Sequence, residues 1–215
     1  MLIPFNTIQD KYNIVCKKAI HVGAHKAEER QTYNENGLGQ VVWVEANPIL
    51  IENLRVAVNE EDIVLQAVVS DVDGQECTFN CTTSTQSSSI LKLGLHSVFF
   101  PRIKVEETFT AKTITLQKLF FENNLSIKDF DLINVDIQGA DLLALKGLGN
   151  DISYLKVIYT EINTKPMYED GPLLDEMDEY LGKYNFQRVE TKMWKNHPWG
   201  DAIYVNSVQE YSSSK

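Results

Sequence analysis

Basic residues are in short supply in this chain of 215 residues, where 20 Lys and Arg face 30 Asp and Glu for a formal charge of −10 at pH 7. That balance argues against a nucleic-acid partner, because displacing counterions from a phosphate backbone takes clustered cations. The same acidity suits a cationic ligand. Cysteine is also sparse, and the odd number of thiols (Cys16, Cys77 and Cys81) excludes a paired disulfide framework. Alternation through Cys77-Thr78-Phe79-Asn80-Cys81 puts two of them on one strand face as packing residues, and no second Cys pair follows to complete a metal site. No apolar run approaches the roughly 18 residues of a membrane span. The N-terminus lacks a basic region followed by an apolar stretch, so the expectation is a cytoplasmic protein forming one domain over residues 1–215.

What is present is an alternation of apolar runs and helical patterns. Lys18 to Gly23 reads as a first buried strand, followed by a helix from Ala27 to Asn36 that Gly37 and Gly39 end. Val41 to Glu45 is a second strand, and Asn47-Pro48 opens a helix through Ile51, Leu54 and Val58. Ile63 to Val69 is a third strand, closed by the turn Ser70 to Gly74. Strands alternating with helices in this way pair in parallel. Gln75 to Thr115 changes to alternating segments around a Ser/Thr-rich loop, Thr82 to Ser89, and reads as an antiparallel insertion. A helix opens at Thr115, a fourth strand runs from Asp131 to Asp136, a helix follows through Leu142, Leu145 and Leu148, and Tyr154 to Glu161 is a fifth strand. Leu173 to Leu181 is helical, and Phe186 to Met193 with Asp201 to Val205 form a closing hairpin that makes the last strand antiparallel. The terminal Ser212-Ser213-Ser214 is expected to fray.

The first two strands carry the chemical signal. The loop Ile20-His21-Val22-Gly23-Ala24-His25 has a Gly where backbone approaches a ligand, and Glu45 ends the next strand about 20 residues on, where ribose hydroxyls lie in nucleoside-binding folds. A dinucleotide fingerprint needs three glycines in that turn. Only Gly23 is there, which disfavours a nicotinamide-dependent oxidoreductase, and no Gly-rich stretch ending in Lys-Ser or Lys-Thr exists to cradle phosphates. A phosphate-free nucleoside fits: S-adenosylmethionine has a ribose diol for Glu45, a zwitterionic end for loop amides and a sulfonium that acidic walls tolerate. A non-catalytic nucleoside-binding module on the same scaffold is the rival reading, motivated by the irregular first loop.

Further motifs extend over most of the chain: Val44-Glu45-Ala46-Asn47-Pro48, Ala67-Val68-Val69-Ser70-Asp71, Asn134-Val135-Asp136-Ile137-Gln138-Gly139-Ala140-Asp141 and Gly200-Asp201-Ala202-Ile203-Tyr204-Val205. Together with the first loop they resemble the FkbM family of methyltransferases, whose fourth-strand motif is Asp-x-Glu-Gly-x-Glu. Asp136 and Gly139 keep that motif, Gln138 replaces a Glu and Asp141 replaces the final acid. His21, His25 and Ala27 stand where the family usually has an acid, an Asn and a second Gly. The resemblance implies a class I methyltransferase fold, α/β and Rossmann-like, with seven mainly parallel strands ordered 3-2-1-4-5-7-6. It further implies S-adenosylmethionine as donor and a sugar or polyketide hydroxyl as acceptor. It also places His21, Gly23, Ala24, His25, Glu45, Ala46, Ala67, Asp71, Asp136 and Ile137 around the donor, with Gln66 to Val68 and Asp71 bordering adenine.

Methyl transfer from sulfur is an in-line displacement that needs the acceptor oxygen aligned and its proton removed. Asp136, ending the fourth strand where ligands gather in open α/β sheets, is the first candidate for base or acceptor orienter; its alternative is a cap for the following helix. Glu161 ends the neighbouring strand, and with Asp136 and Asn163 it could hold Mg²⁺ or Mn²⁺; otherwise it pairs with a surface Lys. Among the histidines, His25 in the donor loop is a candidate base, His21 reads as a satisfied interior residue, and His96 and His197 read as surface or turn residues. The Thr82 to Ser89 loop with Phe99, Phe100, Trp194 and Trp199 could form a rim suited to a sugar or glycan.

Overall fold

The computed structural model describes residues 1–208; the Ser212-Ser213-Ser214 run lies outside the described residues. Short strands buried at every position dictate a parallel sheet covered on both faces. The first half supplies α1 (Thr7–Tyr12), β1 (Ala19–Val22), α2 (Arg30–Glu35), β2 (Val41–Glu45), α3 (Pro48–Ala57) and β3 (Ile63–Gln66). An insertion follows with β4 (Val68–Val69), β5 (Glu76–Thr82), α4 (His96–Phe99) and β6 (Val105–Ile114). The second half supplies α5 (Leu116–Glu122), β7 (Leu132–Val135), α6 (Asp141–Lys146), β8 (Val157–Asn163), α7 (Leu174–Gly182), β9 (Phe186–Met193) and β10 (Trp199–Asn206).

The main sheet runs β3-β2-β1-β7-β8-β10-β9, parallel except for β10, which is antiparallel to both β8 and β9. Ile20, Val22, Val44, Ile133 and Ile158 face one core layer with Leu145 and Phe120, while Ala19, Trp43, Val157 and Ile203 face the other with Tyr33 and Ile14. Local chemistry sets the helix starts: the Asn47 side chain accepts from Ile49 N ahead of Pro48, and the Thr115 hydroxyl accepts from Lys118 N.

Several boundaries differ from the sequence expectation. The third strand breaks at Ala67, whose N–H donates to Glu45 O; Val68 and Val69 then leave the main sheet and pair in parallel with Thr113 and Ile114. The insertion therefore combines one parallel pair with the expected antiparallel pair, β5 against β6. α2 starts at Arg30 rather than Ala27 because His25 and Ala27 adopt left-handed φ values of 45° and 58°. Residues 149–154 form a 3₁₀ turn, so β8 begins at Val157 rather than Tyr154. Cys77 and Cys81 pack on the insertion's small apolar cluster with Val68 and Phe79. Among the described residues no helix is long and apolar enough to cross a membrane.

One buried ion pair ties α2 to the sheet edge. Arg30 lies 3.3 Å from Asp62, whose carboxylate also accepts from Val41 N at 2.8 Å and Trp43 Nε1 at 3.1 Å. Removing one partner of such a pair strands the other in a dry environment, a loss of about 3–5 kcal/mol. Asp62→Ala is expected to destabilise the protein on that scale, read as a drop in the urea midpoint without a change in slope.

Candidate functional site

Loops at the carboxyl ends of β1, β2, β7 and β8 converge, as they do where open α/β sheets bind ligands. The β1 loop is stitched to its neighbours: Gly23 N and Ala24 N both donate to Val44 O, and Asp136 N donates to Val22 O. Gly23 has φ +87°, and a Cβ added there would sit 1.9 Å from Asp136 O, so only glycine lets the two loops touch. Glu45 is 7% exposed; its oxygens accept from His25 N at 2.8 Å and Asn47 N at 2.7 Å. Burial raises its carboxyl above the usual range, and those two backbone donors pull it back.

Two adjoining cavities open on this rim. The smaller, about 60 Å³, is lined by Glu45, Ala46, Ala67, Val69 and Ile137 and roofed by Thr85, Ser88 and Ser89 of the insertion. The larger, about 370 Å³, is lined by carboxylates from Asp136, Glu161 and Asp201 and by the rings of His96, Phe100, Tyr168 and Trp199. Gly23, His25, Gln86, Asp136 and Gln138 belong to both walls.

A side-chain chain crosses the larger cavity. The Tyr168 hydroxyl donates to Gln138 Oε1 at 2.6 Å, and Gln138 Nε2 donates to Asp136 Oδ1 at 2.6 Å and to Glu161 Oε2 at 3.2 Å. Asn163 Nδ2 donates to Glu161 Oε1 at 3.3 Å, and the Tyr159 hydroxyl donates to Asp201. Behind them Asp141 accepts from Ile137 N and Gly139 N, fixing the turn in which Gln138 and Gly139 have positive φ. A Cβ at Gly139 would meet the Tyr168 ring at 2.7 Å, which keeps that position glycine. Crowding of carboxyls in a poorly hydrated site raises them all: Asp136 to about 6, chiefly by desolvation, Asp141 to about 7 by desolvation and Asp136, and Glu161 well above its ordinary value for the same reasons.

The geometry sorts the expected residues. Gly23, His25, Glu45, Ala46, Ala67, Asp136 and Ile137 meet at the smaller cavity, and Asp136, His25, Glu161 and Asn163 at the larger. Ala24 is buried behind the loop and lines neither. Asp71 is a correction: it is exposed, bonds Ser70 Oγ and lines neither cavity, because the chain leaves the main sheet at Ala67. Asp136 caps no helix; Asp141 takes those amides instead. Glu161 pairs with amides rather than a surface Lys. The metal expectation is likewise corrected, since the Gln138 amide stands between Asp136 and Glu161, and among the described residues no group of three or more His, Cys, Asp or Glu is arranged to hold an ion.

His21 is buried, 3.0 Å from the Tyr33 hydroxyl and stacked on Trp43, and burial pushes it down to about 4. His25 is held between Glu28 and Thr85, at 2.6 and 2.8 Å. His96 is a second correction: it is 5% exposed, walls the larger cavity between Phe100 and Tyr168, and burial lowers its pKa. Gly94 N and His96 N donate to Met167 O, pinning α4 over the site through contacts that local sequence does not display. His197 stacks on Phe100 outside both walls. Phe100 and Trp199 face the cavity, whereas Phe99 and Trp194 are exposed. Tyr168 and Met167 were not anticipated; a Tyr after Lys165-Pro166 carries no periodic signal.

Strand order and site position define the class I methyltransferase architecture. The profile of the methyltransferase FkbM domain matches residues 21–188, and the chain belongs to that family. By family and fold it is an S-adenosylmethionine-dependent methyltransferase. No curated protein matches at a significant level. A protein of the NADB-Rossmann superfamily from Streptococcus agalactiae shares the fold at 12% identity and TM-score 0.50, covering 92% of this chain and 64% of that one. TrmK of M. capricolum, in complex with S-adenosyl-homocysteine, is 10% identical, with 97% and 70% covered and TM-score 0.48. Magnesium protoporphyrin IX methyltransferase from Synechocystis PCC 6803, with bound SAM, is 9% identical, with 93% and 74% covered and TM-score 0.47.

The titrating groups set a pH optimum for stability. Asp136, Asp141 and Glu161 bind protons more tightly folded than unfolded, so the contributions of Asp136 and Asp141 are lost as pH rises through about 6 and about 7, and that of Glu161 is lost in the same direction. His21 and His96 bind protons more weakly folded, so theirs is lost as pH falls through the folded pKa, about 4 for His21. Urea midpoints are therefore expected to fall from about pH 6 to pH 8, the three raised carboxyls outweighing the two histidines.

Proposed function

We propose that this protein transfers the methyl group of S-adenosylmethionine to a hydroxyl of a sugar or glycan. The observation that carries this is the shared wall: Asp136 and Gly23 border both a narrow cavity lined by Glu45 and a wider acidic, aromatic one. Glu45 keeps acceptor capacity beyond its two backbone bonds, since each carboxylate oxygen has a further lone pair for a ribose hydroxyl. The donor, when bound, supplies an electrophilic methyl carbon on a sulfonium.

Everything else falls to side chains. Asp136, open to the larger cavity and steadied by the Gln138 amide, orients the acceptor hydroxyl and accepts its proton; a carboxyl near 6 is ionised at neutral pH and more basic than an ordinary Asp. Glu161 holds Gln138 from the other side and so fixes where Asp136 sits. His25 carries the loop amide that grips Glu45 and tethers the loop to Thr85 of the insertion. The aromatic faces of Phe100, Tyr168 and Trp199 suit the apolar faces of a pyranose ring.

Calorimetry with S-adenosylhomocysteine is expected to show binding by the wild type and affinity roughly ten- to hundredfold weaker in Glu45→Ala, the scale of a hydrogen bond to a charged group. Asp136→Asn is expected to bind the donor product but slow methylation of a glycan panel, read by mass gain, by roughly 10²–10⁴-fold. Binding without any methyl transfer by the wild type would identify a non-catalytic module instead.

A further inference from the structure

Resting on the sugar reading above, we propose that the acceptor is an amino sugar, whose protonated amine binds beside Glu161 and Asn163 in the larger cavity. Carboxylates of Glu28, Glu29, Asp136, Glu161 and Asp201 line that cavity, and no Lys or Arg does. Glu28 is engaged by His25, and Glu29 faces the Met1 amine at 3.5 Å. Glu161 and Asp201 lie on β8 and β10, away from the smaller cavity, so the donor's nucleoside end does not account for them.

The donor and acceptor inventory of this wall points the same way. The amide hydrogens of Gln138 go to Asp136 and Glu161, one of the two on Asn163 goes to Glu161, and the hydroxyls of Tyr168 and Tyr159 go to Gln138 and Asp201. Acceptor capacity remains on the carboxylates and on Asn163, a residue 5% exposed whose Oδ1 has no hydrogen-bond partner among the described residues. A buried acceptor without a donor costs free energy that a ligand can recover. An alkylammonium offers three donors and no acceptor, which suits those free acceptors, and its charge opposes the burial and the neighbouring carboxylates that hold Glu161 above its ordinary value. The faces of Tyr168 and Trp199 in the same wall favour a cation as well. A carboxylate-bearing sugar meets the opposite field.

The test compares methyl glycosides of glucosamine, glucose and glucuronic acid as substrates of the full chain with S-adenosylmethionine, and as ligands of the S-adenosylhomocysteine-loaded protein. The expected KM for the glucosaminide is roughly tenfold or more below that for the glucoside, with the glucuronide poorest. Glu161→Gln and Asn163→Leu are expected to shrink that ratio while S-adenosylhomocysteine affinity holds; should either variant misfold, the wild-type ratio decides alone. Equal or better use of the glucoside overturns the ammonium subsite and leaves the sugar reading intact. Preferential glucosaminide binding with no glycoside methylated keeps the subsite and overturns the sugar reading. No binding and no methylation overturns both.

Discussion

The contact between the ends of β1 and β7 is the constraint on which the site depends. Gly23 lies so close to the Asp136 carbonyl that no side chain fits between them, and the amides of Gly23, Ala24 and Asp136 fasten three neighbouring strands at one point. The backbone turn after β1 and the Asp136 carboxylate are consequently held as one unit. Preorganisation of this kind is what an in-line transfer requires, because alignment supplies several kcal/mol of the barrier lowering before any proton moves.

Around that unit the protein accumulates negative charge with little compensation. Asp136, Asp141, Glu161 and Asp201 come from strands and a helix start that the sheet brings together, and burial with neighbouring carboxylates makes ionisation of Asp136, Asp141 and Glu161 harder. Neutral donors do the holding: amides of Gln138 and Asn163, phenols of Tyr159 and Tyr168, and backbone N–H groups. Gathering acids in this way costs folding stability, the usual exchange between a comfortable fold and a working site.

Residues at strand ends were legible, because a buried run that stops in Gly, Glu or Asp announces both the strand and its chemical terminus; Gly23, Glu45, Asp136 and Glu161 all fall on the two cavity walls. The helices between strands made the parallel pairing legible, whereas the seven-strand order came with the family resemblance. Legibility ended where tertiary contact overrides local pattern. Ile63 to Val69 reads as one strand, yet Val68 and Val69 leave the main sheet to pair with Thr113 and Ile114, which takes Asp71 away from both cavities. His96 reads as a loop residue because its burial comes from backbone bonds to Met167, far along the chain. The metal expectation failed at a single position, where an amide occupies the space between two acids.

That amide has a further consequence. A carboxyl at position 138 could join Asp136 to Glu161 only while protonated, and the bridge would open as the medium became alkaline. Gln138 has no proton to lose, so the link from Tyr168 through to both acids survives across the neutral range. The chain has thereby uncoupled the shape of its larger cavity from the ionisation of the carboxyls that line it.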